Sequence, residues 1–305
     1  MLVIKRFSEL SFDEAISLWN ESWKHYFSDM TMDLNRFIQK VAGEGISLED
    51  SVVAVYEGKL AGFVLNSFRE INGKRYVWNG GTAIAPDFRG MGIGKKLISV
   101  CLDIYAQKEV DTARLEAIMS NTAAIKLYEK MGYEKFEELI FLNHDGPVSN
   151  FCEINKDIKI EEVNLHAIKE VSFYEPLTAW QTQFASLKDF TCVIASKDEK
   201  PVGYTVYKNN YNEKGELAAI ILYQCFTDPQ LESDEEATAS LLDAAFGPWE
   251  TSCKRITLNV PKKDNALNHL LTNAGFTTFV EQVHMALPIK KEAEQNSIKT
   301  FSEID

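Results

Sequence analysis

No stretch of this 305-residue chain approaches the roughly 18 consecutive apolar residues that span a bilayer, so no membrane helix is expected. Cysteine is sparse. The five, at 101, 152, 192, 225 and 253, are odd in number, far apart and without a Cys-x-x-Cys pair. That gives no zinc pattern and fits the reduced thiols of a cytoplasmic protein. The five histidines show no ligand spacing, so no metal is expected. Positive charge is in deficit: 32 Lys and Arg against 45 Asp and Glu leave a net charge of −13. A surface of that sign argues against nucleic acid as a partner. It suits a cationic amine, and equally an ordinary acidic soluble protein. The opening Met1-Leu2-Val3-Ile4-Lys5-Arg6 is charged too early for a signal peptide and reads as a first strand.

What is present is glycine at one informative place. Thr82-Ala83-Ile84-Ala85 forms an apolar strand, and Gly90, Gly92 and Gly94 alternate behind it. An amphipathic helix then opens at Lys95-Lys96. Glycine removes side chains where the backbone turns tightly. The bare amides then point at whatever lies over the helix N-terminus, and the helix dipole favours an anion there. As chemistry, this is a pyrophosphate cradle. Two familiar cradles are excluded by spacing. A Walker loop requires Ser or Thr after Gly-Lys, but Lys96 follows Gly94-Lys95. A dinucleotide fingerprint requires a third glycine where Lys95 stands.

The pattern that fits is Arg-x-x-Gly-x-Gly, from Arg89 to Gly94. It resembles the coenzyme A loop of the GCN5-related N-acetyltransferase (GNAT) family, and Ile84-Ala85-Pro86 is similar to the end of that family's fourth strand. A second block, Asn121-Thr122-Ala123-Ala124-Ile125-Lys126-Leu127-Tyr128-Glu129-Lys130-Met131-Gly132-Tyr133, resembles the family's Asn-x-x-Ala-x-x-Leu-Tyr-Glu-Lys-x-Gly-Phe/Tyr signature. The resemblance is clear over residues 1–147 and weak beyond. It implies an α/β (α+β) three-layer sandwich, acetyl-CoA as cosubstrate and no metal. It also implies transfer of an acetyl group to the primary amine of a small molecule or peptide. An acyl-CoA-binding sensor without turnover is the alternative.

Such transfer requires that the thioester be held, the ammonium lose a proton and the departing thiolate be stabilised. By resemblance, the backbone of Gly90, Met91, Gly92, Ile93, Gly94 and Lys95 would hold the pyrophosphate, with charge added by Arg89 and Lys95. The Ile84 backbone and Asn121 would meet the pantetheine arm. Tyr128 would face the sulfur as acid. Glu116 would serve as base, since Leu115-Glu116-Ala117 resembles the Leu-Glu-Val of ribosomal-protein N-terminal acetyltransferases, twelve residues before the tyrosine. The site where many relatives carry another glutamate reads Trp78-Asn79-Gly80-Gly81. Ser11-Phe12-Asp13-Glu14 is a capping box. Behind it Phe12, Ala15, Ile16, Trp19 and Trp23 share one helical face, and Trp19, Trp23, Tyr26 and Phe27 could line an acceptor pocket.

The length suggests two domains at about 150 residues each, and the chain repeats itself. Ser51–Val64 and Thr191–Val206 both read as hairpins with a glycine early in the second strand. Leu115-Glu116-Ala117-Ile118 resembles Leu258-Asn259-Val260-Pro261, and Leu127–Tyr133 resembles Leu270–Phe276, both at an offset of 143. We therefore expect a GNAT-like domain over 1–147, a degenerate copy over 148–289 and a polar tail over 290–305. The copy sets Thr227-Asp228-Pro229 and a run of carboxylates against the glycine loop, Asn259 against Glu116 and Leu271 against Tyr128. A duplicated chain can dispense with dimerisation, so both monomer and homodimer stay open.

Overall fold

The computed structural model describes residues 1–26, 29–149, 151–152 and 154–289; Phe27 and the polar end from 290 lie outside them. By its contacts the chain divides into two compact units, one of Met1–Phe136 with the chain from His284 onward, the other of Glu137–Val283. Among the described residues no helix is long and apolar enough to cross a membrane.

The first unit contains β1 (Leu2–Arg6), α1 (Phe12–Ser22), α2 (Leu34–Glu44), β2 (Ile46–Tyr56), β3 (Lys59–Ile71) and β4 (Lys74–Ile84). It continues through α3 (Ile93–Gln107), β5 (Thr112–Ile118), α4 (Thr122–Lys130) and the start of β6 (Glu134–Asp145). The second contains the rest of β6, then β7 (Lys159–Val163), α5 (Leu165–Glu170), β8 (Thr191–Lys197), β9 (Lys200–Tyr211) and β10 (Leu217–Thr227). It ends with α6 (Glu235–Phe246), β11 (Lys254–Thr257), β12 (Val260–Pro261), α7 (Asn265–Asn273) and most of β13 (Thr277–Pro288).

Helix α1 starts where the capping box places it. The Glu14 amide donates to Ser11 Oγ (3.3 Å), and the Ser11 amide donates to the Glu14 carboxylate (2.9 Å). Its buried face is Ala15, Leu18, Trp19 and Ser22, packed with Phe37, Val53 and Phe63. Phe12, in the first turn, is 53% exposed, so the apolar stripe is turned from the one expected. The β2–β3 and β8–β9 hairpins close on two-residue turns, Glu57-Gly58 and Asp198-Glu199, all at positive φ. That left-handed geometry matches the twist of the paired strands.

The first unit's sheet runs β1-β2-β3-β4-β5 and then the 284–288 end of β13, whose pairing continues into the Ile289 amide bonded to the Asp111 carbonyl (3.0 Å). The expected boundary near 147 thus differs from the contact division, which falls inside β6 at 136/137 and returns the end of β13, from His284, to the first unit. Strand β4 runs parallel to β5 for three residues only, Tyr76, Val77 and Trp78 opposite Thr112, Ala113 and Arg114. Gly80 is then the extra residue of a bulge, because Asn79 pairs with Asn66 and Gly81 with Leu65. A Cβ on Gly80 would stand 2.4 Å from the Trp78 ring. Past this bulge β4 stays with β3 and leaves β5, so a gap opens between them.

The second unit repeats the design. Its β10 and α7 lie 143 residues after β4 and α4 at both ends, and β13 lies 143 after β6. A bulge at Tyr223 matches that at Gly80. One expected equivalence is corrected by register. Strand β11 pairs Lys254 with Ala219 where β5 pairs Thr112 with Tyr76, so the offset there is 142 and Leu258, not Asn259, stands at the place of Glu116. Asn259 is a one-residue insertion at φ 54°.

Candidate active site

A cleft of about 480 Å³ opens in the first unit where β4 leaves β5. Its walls bring together Ile84, Arg89, Gly90, Gly92, Ile93, Gly94, Lys95, Asn121 and Tyr128 of the residues singled out from sequence. Met91, 47% exposed, and Glu116 are not part of the lining.

The floor is the start of α3. Gly92 is its N-cap at φ 78° and supplies no side-chain cap. The first amide spent on the helix is that of Lys96, on the Gly92 carbonyl (3.2 Å). The amides of Ile93, Gly94 and Lys95 thus precede the helical ladder, as helix geometry requires of a first turn. Gly90 and Gly92 both have positive φ, and a Cβ on either would meet open space. Gly94 has a different purpose: a Cβ there would stand 3.1 Å from Leu127, so glycine lets α3 and α4 approach. Bare amides at a helix end, under open space, fit a pyrophosphate.

Arg89 lines the cleft and is also tied to the protein. Its guanidinium donates to the carbonyls of Ile84 (3.0 Å), Ser22 (3.1 Å) and Lys24 (3.3 Å), pinning the end of α1 to the end of β4. Its Nε and Nη2 donors are used on the protein, so Arg89 shapes the cleft that it lines. The Ala85 amide bonds Ala61 on β3 (2.9 Å). By antiparallel alternation Ile84 turns its own amide and carbonyl the other way, towards the gap. Arg89 takes the carbonyl, which leaves the amide as the group for a ligand there. Asn121 caps α4, accepting from the Ala124 amide (3.2 Å), and its side chain also hydrogen-bonds Tyr26.

Tyr128 is buried at the head of the cleft and shares a hydrogen bond with Thr82. Burial pushes its phenol up to about 12, with Thr82 opposing the rise. It therefore carries its proton at neutral pH. Trp23 and Tyr26 line the same cleft, whereas Trp19 is core, stacked on Phe63 at 5.5 Å. Phe27 lies outside the described residues. Sequence reasoning missed Thr82 and Ser22, which line the cleft beside these groups. Ser22 Oγ and Trp23 Nε1 are buried with no hydrogen-bond partner among the described residues.

Glu116 stands on the opposite face of β5 from the buried Leu115. Its carboxylate accepts from Trp78 Nε1 (2.6 Å) and lies 3.5 Å from His284 Nε2. On α2, burial raises the proton affinity of Glu44, Lys40 beside it opposes, and the charge of Glu116 adds to the rise. Burial lowers Arg69 to about 10, with Glu44 opposing, so Arg69 stays cationic at neutral pH.

The corresponding positions of the second unit carry other residues. Gln224 stands where Gly81 does and donates to the Thr182 carbonyl (2.6 Å). Leu271, fully buried, replaces Tyr128. Glu235 and Glu236 occupy the first turn of α6.

A sequence profile of the Acetyltransferase (GNAT) family matches residues 7–133, so the first unit is a GNAT domain. The chain as a whole has the tandem GNAT fold. A GCN5-related N-acetyltransferase from Sphaerobacter thermophilus superposes with a TM-score of 0.66 at 14% identity, over 95% of this chain and 96% of that one. A tandem GNAT protein from the clavulanic acid biosynthesis pathway superposes with a TM-score of 0.63 at 12% identity, over 95% and 99%. In sequence, N-alpha-acetyltransferase 30 of Saccharomyces cerevisiae is 31% identical over 75 residues, 25% of this chain. The chain spans only 42% of that protein's length.

Proposed function

We infer that the first unit moves an acetyl group from acetyl-CoA to a primary amine of a small molecule or peptide. The observation that carries this reading is the α3 cradle, with open first-turn amides, leading up the β4–β5 gap to a protonated tyrosine. Acetyl-CoA supplies the activated thioester. The amides of Ile93 to Lys95 hold the pyrophosphate, and the helix end favours its charge. The Ile84 amide, facing the gap, orients the acetyl carbonyl. The Tyr128 phenol donates to the sulfur as negative charge develops there. Glu116 takes the proton of the amine through water, because it lies outside the cleft. A peptide amine is favoured by the Glu116–Tyr128 spacing and by the likeness to a protein named as an N-alpha-acetyltransferase.

The second unit, on this reading, keeps the fold without the chemistry. Gln224 fills its gap, and carboxylates at its helix end repel a pyrophosphate.

Calorimetric titration of acetyl-CoA into wild type and Gly92→Asp tests both statements. One site per chain, weakened at least tenfold in the variant, is the expected result. A second site sinks the silent-copy assignment. Release of free coenzyme A with a panel of amines and peptides then separates enzyme from sensor: binding without turnover by any amine supports the sensor. No binding by wild type overturns the reading altogether.

A further inference from the structure

The last described strand of the chain carries a histidine into the first unit. Residues 284–288 of β13 lie beside β5, and His284 stands against Glu116. Nε2 of the imidazole is 3.5 Å from one carboxylate oxygen of Glu116, and the indole N–H of Trp78 takes the other at 2.6 Å. The side chains of His284 and Glu116 are 2% and 4% exposed. The imidazole rests on Phe136, ring centres 4.3 Å apart.

We propose that His284 is a positioning residue for acetyl transfer: with Trp78 it fixes the carboxylate of Glu116 from two strands. The proposal rests on the acetyltransferase reading above.

Two arguments carry it. The first is electrostatic. A buried carboxylate is costly unless donors satisfy it. Glu116 lies close enough to Glu44 on α2 to raise that residue's proton affinity. The other charged groups around them are Lys40 on α2, paired with Glu44, and Arg69 on β3. Arg114 on β5 lies over the rings of Tyr76 and Phe136. The indole N–H of Trp78 at one carboxylate oxygen and the imidazole of His284 beside the other hold the plane of Glu116.

The second argument is the sister unit. There β6 takes the place of β13 and β11 that of β5. Their register pairs Lys254 with Asp145 and Ile256 with Asn143, and two residues further sets Leu258 against Phe141. The fold therefore accepts an apolar pair at this position. A leucine and a phenylalanine avoid the desolvation cost of a carboxylate. Architecture alone does not call for Glu116 and His284, so the pair is explained by chemistry.

The test uses the full chain with His284→Leu, His284→Gln, Glu116→Gln and the Glu116→Gln, His284→Leu double variant. His284→Gln keeps an N–H donor and is expected to retain most of the activity. His284→Leu is expected to lower kcat by about 10- to 100-fold, the scale of a misplaced catalytic group. Its acetyl-CoA affinity should stay within about twofold of wild type, since the cradle is untouched. In the double variant the leucine should add no loss beyond that of Glu116→Gln, because residues that act as a unit are not additive. An independent readout is the indole N–H resonance of Trp78, assigned by its loss in Trp78→Phe. It should move in His284→Leu and return in His284→Gln. Additive losses, or an indole resonance indifferent to His284→Leu, would overturn the proposal. A responsive indole in a protein that acetylates no amine keeps the positioning of Glu116 and removes the acetyltransferase reading instead.

Discussion

Tyr128 differs from a surface tyrosine in what burial does to its proton. Its phenol is pushed from 10.0 to about 12, so the neutral form is favoured in the folded state. The sign follows from linkage. A group whose folded pKa is raised stabilises the fold fully below its unfolded value, and that contribution is lost as pH rises through the folded value. Stability should therefore fall between about pH 10 and pH 12. Tyr105 and Tyr133, also raised by burial, add to the same decline. Urea midpoints measured across this range should fall less steeply in Tyr128→Phe. At neutral pH the same variant should lose about 100-fold in kcat, the scale of a lost proton donor, with acetyl-CoA binding retained. A loss of binding in parallel would assign Tyr128 to the cradle. Arg89 is the contrasting residue. Its place in the motif was readable, but its three carbonyl partners come from two separated segments, so its structural use was not.

At the scale of elements, the bulge in β4 separates a continuous sheet from a cleft. Gly80→Ala drives a Cβ into the Trp78 ring, which also holds Glu116. The expected cost is about 1–3 kcal/mol, typical of overpacking, read as a lower urea midpoint. An unchanged midpoint would mean that the strand can straighten at no cost. Helix α1 offers a simpler case. Ser11→Ala removes one half of its capping box and should cost about 1 kcal/mol, measured the same way. The cap was legible because it is local, four residues in order; the bulge was not, because it is defined by the pairing of β4 with β3. The position of Leu258 was not legible. A single inserted residue, Asn259, shifts the comparison by one, and only strand register reveals it.

For the whole molecule, the consequence lies in where the chain ends its last strand. The first unit takes residues 284–288 as the strand next to β5. A fragment of residues 1–147 lacks that strand and leaves β5 with an open edge, a site for association. We expect it to bind acetyl-CoA at least tenfold more weakly than the full chain, with binding regained when 148–305 is supplied. Calorimetry on the fragment alone and on the pair decides the matter; full affinity in the lone fragment would show the first unit to be self-sufficient.

The sequence by itself determined the glycine turn into α3, the cap of α1, the two hairpins and the presence of two related halves. Each arises from backbone sterics or hydrogen bonds between near neighbours, and these leave a spacing that can be read along the chain. Tertiary structure alone decided the partners of Arg89, the gap that opens at Gly80 and the meeting of Glu116 with His284. Those depend on which strands pair and in what register. That choice is made by packing between segments far apart in the chain, and no local spacing records it.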